Sequence, residues 1–410
     1  MTLMPNKTKL NIPQGMRDWL PGEANRKREL VNQLLEQISL WGYEEINTPL
    51  LEYYQVLLPD GNCWEGVDQV YKLIDRNGGI LALRPEMTLP IARVISSKLP
   101  PDYPWRLMYG GEVFRYEEIQ TGKQREFCQV GVELIGAVGA EADSEILALA
   151  VEALRATGLD NFTISLGHTG ILKGLLESLA WEETQLKQVR TLILEKDFVG
   201  LNNYLMSAGI KADKVKQLVG ILTCQLTTED LEKEWRDLPQ GIARALADLR
   251  EIIHLLKVYD YDRYIQVDFS TLRSQEYYTG MVFEIYTPGI GYPIGGGGRY
   301  DQLLHNWGNN CPATGFALGV DRILLSLLSG EKEQKESEKE KEKRFLFAGN
   351  DAAAVITQAL QWRKKGKKVI TEISGITRSE AAKLALKKGA ALHWCVEESE
   401  AKEGGRKDEG

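Results

Sequence analysis

Residues 114–136 read FRYEEIQTGKQREFCQVGVELIG, a polar loop flanked by two runs of strand character. In an extended chain alternate side chains point the same way. Arg115 and Glu117 therefore share one face of the first run, and Arg125, Gln129 and Glu133 share one face of the second. Paired as a hairpin, the runs bring cations and anions onto a single surface. Such a surface suits a zwitterionic or phosphorylated small molecule.

The 410 residues are enough for two or three domains and a sizeable core. The net charge of −8 argues against a general nucleic-acid binder, whose footprint is basic. Five cysteines (Cys63, Cys128, Cys224, Cys311 and Cys395) are scattered and lack C-x-x-C spacing. Neither a metal site nor a disulfide framework is expected, and a reducing cytoplasm fits. The first residues, MTLMPNKTKLNIPQG, contain no apolar leader, and no run is long and apolar enough to span a membrane. The glycine run Gly295–Gly298 is not followed by G-K-[ST], so it is no P-loop, and no cofactor is expected. His168, His254, His305 and His393 are isolated and read as structural or surface residues.

Along the chain, Leu30, Leu34 and Ile38 mark an amphipathic helix after Gly22, and Glu44–Thr48 reads as a strand stopped by Pro49. Asn77-Gly78 between Val70–Asp75 and Ile80–Arg84 predicts a hairpin. A helix at 140–157 and a strand at 162–166 precede a Leu-, Glu- and Lys-rich helical insertion over about 169–258. Strands resume at 264–269 and 281–286, and Gly315–Leu328 reads as a strand passing into a helix. Residues 329–344 are almost wholly charged and predict a linker. A β-α-β-α-β unit follows over 345–397, and 398–410 reads as a disordered tail.

Several stretches, in order over about residues 12–328, resemble the class II histidyl-tRNA synthetase core. Gly15-Met16-Arg17-Asp18 through Pro49 resembles motif 1, whose helix and strand form the family's homodimer interface. Leu83-Arg84-Pro85-Glu86-Met87-Thr88 resembles the amino-acid-binding loop, and FRYEE…REFCQVGVE resembles motif 2. Arg273-Ser274-Gln275-Glu276-Tyr277-Tyr278 and the run to Arg299-Tyr300-Asp301 are similar to the two histidine signatures. Gly315 to Arg322 resembles motif 3. The resemblance implies an α+β fold: a class II synthetase-like antiparallel sheet flanked by helices, with the helical insertion and a small truncated α/β domain.

The resemblance also implies tasks. Glu86 and Glu133 would meet the ammonium of free histidine, with Thr88 and Gln129 adding neutral hydrogen bonds. Tyr277 and Tyr278 would wall the imidazole, and Arg115 and Arg273 would face the carboxylate or an α-phosphate. Glu117, Arg125 and Arg322 would be vestiges of a nucleotide site.

Departures point to one branch of the family, the regulatory subunits of ATP phosphoribosyltransferase. Glu118 stands where bacterial synthetases usually carry arginine, and it would repel acceptor-stem phosphates. Cys128 replaces a usual histidine, so both changes are expected near the tRNA and the reaction, and tRNA is not an expected partner. The Arg-Gly-Leu-Asp of the signature has become Arg273-Ser274-Gln275-Glu276, and the C-terminal unit is short for an anticodon domain. The branch implies no catalytic residues, a short-form catalytic subunit as partner, dimers of this chain within a hetero-octamer, and L-histidine as ligand. A working histidyl-tRNA synthetase is the alternative reading.

Overall fold

The computed structural model describes residues 11–58, 65–116, 124–177, 181–223, 225–231, 240–271, 277–331, 344–374 and 376–395. They form two compact units that divide at Gly330. Most of the predicted linker and all of the predicted tail lie outside the described residues. The last helix of the first unit runs on to Glu331, and Arg344 already begins a strand.

The first unit is built on a nine-stranded sheet. From one edge the strands are Glu44–Glu45, Trp105–Phe114, Glu126–Ile135, Ala313–Gly319, Gly295–Arg299, Met281–Tyr286, Thr163–His168, Ile265–Asp268 and Gln225–Leu226. The six pairings besides Glu44–Glu45 with Trp105–Phe114 and Thr163–His168 with Ile265–Asp268 are antiparallel. Those two pairings are parallel. The sheet is therefore mixed rather than uniformly antiparallel. A parallel pair needs a long crossover, and the helical insertion supplies one of them.

One face of the sheet is covered by helices. Pro21 opens the first helix, Pro21–Ser39, where its missing N–H costs nothing, and Leu30, Leu34 and Ile38 bury the stripe. Each such side chain stabilises by roughly 1.5–3 kcal/mol. The helix Gly139–Ala156 lies deeper, with twelve buried residues, between the sheet, the first helix and the long insertion helix Gln240–Val258. Gly110 lets the first helix approach the hairpin: a Cβ there would meet Leu35 at 3.3 Å and Val31 at 3.4 Å.

One predicted strand is displaced, and one strand was not predicted. The first hairpin strand ends at Phe114, so Arg115 lies just beyond it, and Glu117 falls outside the described residues. The glycine run, which carries no side-chain periodicity, is itself a central strand of the sheet. A Cβ on Gly297 would collide with the Gly315 carbonyl oxygen, which is why the strand tolerates no side chain there.

A small antiparallel sheet of Leu51–Tyr53, Ile80–Leu83 and Lys72–Ile74 follows the first helix and strand. The second unit has three parallel strands in the order Val369–Glu372, Arg344–Gly349, Ala390–Cys395, with helices Ala352–Lys364 and Arg378–Lys388. Its second helix opens with a Thr377–Glu380 capping box and closes at Gly389 with φ 60°.

Candidate functional site

The other face of the central strands opens into a cleft of about 380 Å³. Its anchor is Arg84, buried and with no carboxylate ion pair among the described residues. Its Nε donates to the Glu112 carbonyl (2.9 Å) and its Nη1 to the Thr48 carbonyl (2.6 Å). Gly111 makes room for that guanidinium, since a Cβ there would lie 2.5 Å from Nη2. With Arg84 held, the next residues, Pro85 to Thr88, turn into the cleft. Arg115 Nε donates to the Pro85 carbonyl (2.8 Å) from the end of the hairpin, and its guanidinium stands 5.5 Å from the Phe127 ring.

Two carboxylates face the cleft, Glu86 at 5% exposure and Glu133 at 2%. Thr88 Oγ1 donates to Glu133 Oε1 (2.8 Å), and the Tyr300 hydroxyl donates to Glu133 Oε2. The Tyr277 hydroxyl reaches both oxygens of Glu86 at 3.3 Å. Tyr277 packs 5.0 Å from Tyr278 and 5.7 Å from Tyr300, ring centre to ring centre. Gln129 is 9% exposed, and its Oε1 has no hydrogen-bond partner among the described residues. A buried acceptor left unmatched by protein marks a place where a ligand donor fits. Gly296, Gly297 and Gly315 line the cleft with backbone alone, and a Cβ on Gly315 would run into Glu133 Oε2.

Burial pushes the Glu133 carboxyl up to about 8. Hydrogen bonds from Tyr300, Thr88 and Tyr109 pull the other way, and the nearby Glu86 charge raises it further. Burial, with the Glu133 charge, also holds the Tyr300 phenol well above its ordinary value. The cleft is therefore lined by oxygen acceptors whose charged forms burial disfavours, and a ligand carrying an ammonium or another N–H cation would draw Glu133 into its ionised form.

The structure brings Glu86, Thr88, Arg115, Gln129, Glu133, Tyr277 and Tyr278 together in this lining. Arg125 and Arg322 are not part of it. Arg125 stacks 3.9 Å over the Tyr116 ring, and Arg322 Nη1 donates to the Pro293 carbonyl (2.6 Å) beside Tyr292. Glu117, Glu118 and Arg273 lie outside the described residues. Tyr109 and Tyr300 line the cleft but were not singled out as binding residues in the sequence. The tyrosine of Gly-Arg-Tyr-Asp was the signal for the second.

Cys128 requires a correction. It neighbours Gln129 in sequence, and strand alternation turns its side chain to the opposite, helix-covered face. There its N–H donates to Asp321 Oδ2 (3.0 Å), and Lys27 Nζ lies 3.1 Å from Glu112 and 3.2 Å from Asp321. Burial pushes the Cys128 thiol up to about 12. This cluster pins the first helix to the sheet and does not face the cleft. His168 is likewise internal: its Nδ1 accepts from the Gly170 N–H (3.0 Å). Among the described residues no group of three or more His, Cys, Asp or Glu could hold a metal, and no helix is long and apolar enough to cross a membrane.

Residues 15–323 match the family model described as histidyl-tRNA synthetase. A relative from Moorella thermoacetica named ATP phosphoribosyltransferase regulatory subunit is 40% identical, the match covering 96% of this chain and 100% of that one. One of the same name from Halothermothrix orenii is 39% identical over 88% of this chain and 86% of its own. A solved structure of an ATP phosphoribosyltransferase regulatory subunit/histidyl-tRNA synthetase from Bacillus halodurans superposes with TM-score 0.80 at 32% identity, covering 94% of this chain and 98% of that one. Histidyl-tRNA synthetase from Nostoc shares the fold, with TM-score 0.77 at 22% identity and coverage of 92% and 89%. With the synthetase sheet, its cleft and these relatives in agreement, the chain belongs to the ATP phosphoribosyltransferase regulatory subunits of the histidyl-tRNA synthetase family.

Proposed function

We propose that this chain is the non-catalytic regulatory subunit that a short-form ATP phosphoribosyltransferase needs for the first step of histidine biosynthesis, and that its cleft senses free L-histidine. The names carried by its relatives support the first part. The pair of buried carboxylates, Glu86 and Glu133, carries the second. In this reading the ligand's ammonium meets the carboxylates and Gln129 Oε1. Its imidazole lies against Tyr277 and Tyr278, and its carboxylate turns toward Arg115. Occupancy regulates the partner enzyme by favouring one of two subunit arrangements, so histidine must bind them unequally.

Self-association belongs to the same proposal. Leu51, Tyr53 and Leu73, at 43%, 53% and 44% exposure, share the open face of the small sheet, an apolar surface suited to a second copy. A cytoplasmic home follows from the proposed partner. Adding the purified chain to an inactive short-form catalytic subunit should restore phosphoribosyl transfer, and histidine should then inhibit it. Efficient histidine-dependent ATP–pyrophosphate exchange with tRNA charging, and no restoration, would overturn the proposal.

A further inference from the structure

One buried ion pair lies behind the cleft and touches none of its lining carboxylates. Arg299, 8% exposed, is the last residue of the glycine strand, and Asp143, 5% exposed, lies near the start of the helix Gly139–Ala156. Arg299 Nε donates to Asp143 Oδ2 (3.0 Å), and Nη2 stands 2.8 Å from Asp143 Oδ1. Nη1 donates to the Ala137 carbonyl (3.2 Å) and to Asp301 Oδ1 (3.1 Å), and Nη2 to the Gly139 carbonyl (3.3 Å). A planar fork held by these four hydrogen bonds fixes its own backbone as well as its partner.

That backbone carries Tyr300 and supports the segment bearing Tyr277, two of the four tyrosines that line the cleft. Tyr300 follows Arg299 directly, and its N–H donates to the Ala313 carbonyl (2.7 Å). Across the chain, Thr279 N–H donates to the Arg299 carbonyl (2.7 Å), and Thr279 Oγ1 accepts from Asp301 N–H (3.0 Å). Gly280 rests on the arginine stem, where a Cβ would come within 3.0 Å of Cδ. Tyr277 and Tyr278 therefore hang from a segment laid on Arg299. Tyr277 reaches Glu86, and Tyr300 reaches Glu133.

We propose that Asp143 and Arg299 are positioning residues of the cleft, through which the Gly139–Ala156 helix sets how Tyr277 and Tyr300 meet Glu86 and Glu133. The helix also packs on the first helix and on the long insertion helix. Displacement of either would thus reach the phenols through one ion pair. The inference rests on the ligand-cleft reading for its functional meaning, yet it can be tested without ligand.

The test uses the full chain and two readouts. The first is the Glu133 titration midpoint, taken as the difference in the stability–pH profile with and without Glu133→Gln. The groups facing Glu133 are Glu86, Tyr300, Tyr109 and Thr88, with Arg115 also lining the cleft. Tyr300's hydrogen bond lowers that midpoint, so Tyr300→Phe should raise it by about one pH unit. Arg299→Lys, which keeps the charge but loses the fork, should raise it similarly, and the double variant should go no further. The second readout is histidine affinity by calorimetry, expected to fall about tenfold in each single variant. If Arg299→Lys does not fold, Asp143→Asn, equal in size and retaining one acceptor oxygen, carries the same comparison. Additive shifts, or an unmoved midpoint in a folded variant, would reduce the pair to a stabilising contact and overturn the inference. A shifted midpoint in a chain that never binds histidine would uphold the positioning and reject the ligand instead.

Discussion

Glu133→Gln should make this protein more stable and less able to bind its ligand. The ordinary value of the carboxyl is 4.5, and burial raises it in the folded chain to about 8. A raised carboxylate has the reverse of the usual sign. Its contribution is full below 4.5, is lost as pH climbs from there, and levels off above about 8. At pH 7 the unfolded chain has released the proton and the folded chain largely has not, which costs the wild type about 3 kcal/mol. Glutamine has the same shape and does not titrate, and the hydroxyls of Thr88 and Tyr300 can each donate or accept to suit it. Urea unfolding of both proteins from pH 5 to 8 should give curves that separate with rising pH, the variant ahead by about 3 kcal/mol at pH 7. Calorimetry on the same samples should show histidine affinity reduced at least about tenfold, since an ion pair becomes a neutral contact. A stability difference that stays constant across that pH range would refute the argument, because Glu133 would then not be the protonated group.

Three further outcomes follow from the geometry. Histidine binding at pH 7 should release close to one proton as Glu133 ionises against the ligand, seen by calorimetry in buffers of different ionisation enthalpy; no proton release would contradict it. Gly315→Ala drives a methyl group into the Glu133 carboxylate and the Val132 carbonyl. It should cost about 1–3 kcal/mol and remove histidine binding, whereas wild-type affinity would deny the close approach. Cys128, with its thiol up at about 12, should resist a thiol reagent at pH 8 until the chain is unfolded, and Cys128→Ala should leave histidine affinity unchanged.

The cleft was legible to the extent that its residues repeat with strand periodicity or stand in ordered motifs. Glu86 and Glu133 are far apart in sequence, and the motif order alone suggested that they meet. What escaped was hidden by glycine. The strand Trp105–Phe114, most of it not anticipated, contains Gly110 and Gly111. One admits Val31 and Leu35, and the other admits the Arg84 guanidinium. Gly295–Gly298 likewise shows no alternation because its neighbours occupy the space that side chains would fill. In both strands tertiary approach overrode local propensity. Cys128 illustrates the opposite error. Its place in the resembled motif suggested a position near the reaction, but adjacent residues of a strand lie on opposite faces, and Cys128 turns to the helix-covered side, away from Gln129.

The glycine strand also limits how this pocket can change its tastes. Of the glycines that line the cleft, Gly297 is pressed by the Gly315 carbonyl, and Gly315 by the Glu133 carboxylate and the Val132 carbonyl. No inherited substitution there can make the pocket shallower or add a recognition group without displacing the sheet. Among the described residues, selectivity can drift through the walls, at positions such as Tyr277, Tyr278, Thr88 and Gln129. On the proposed histidine reading, a library meant to retune the cleft to another amino acid should therefore vary those four positions and leave the floor untouched.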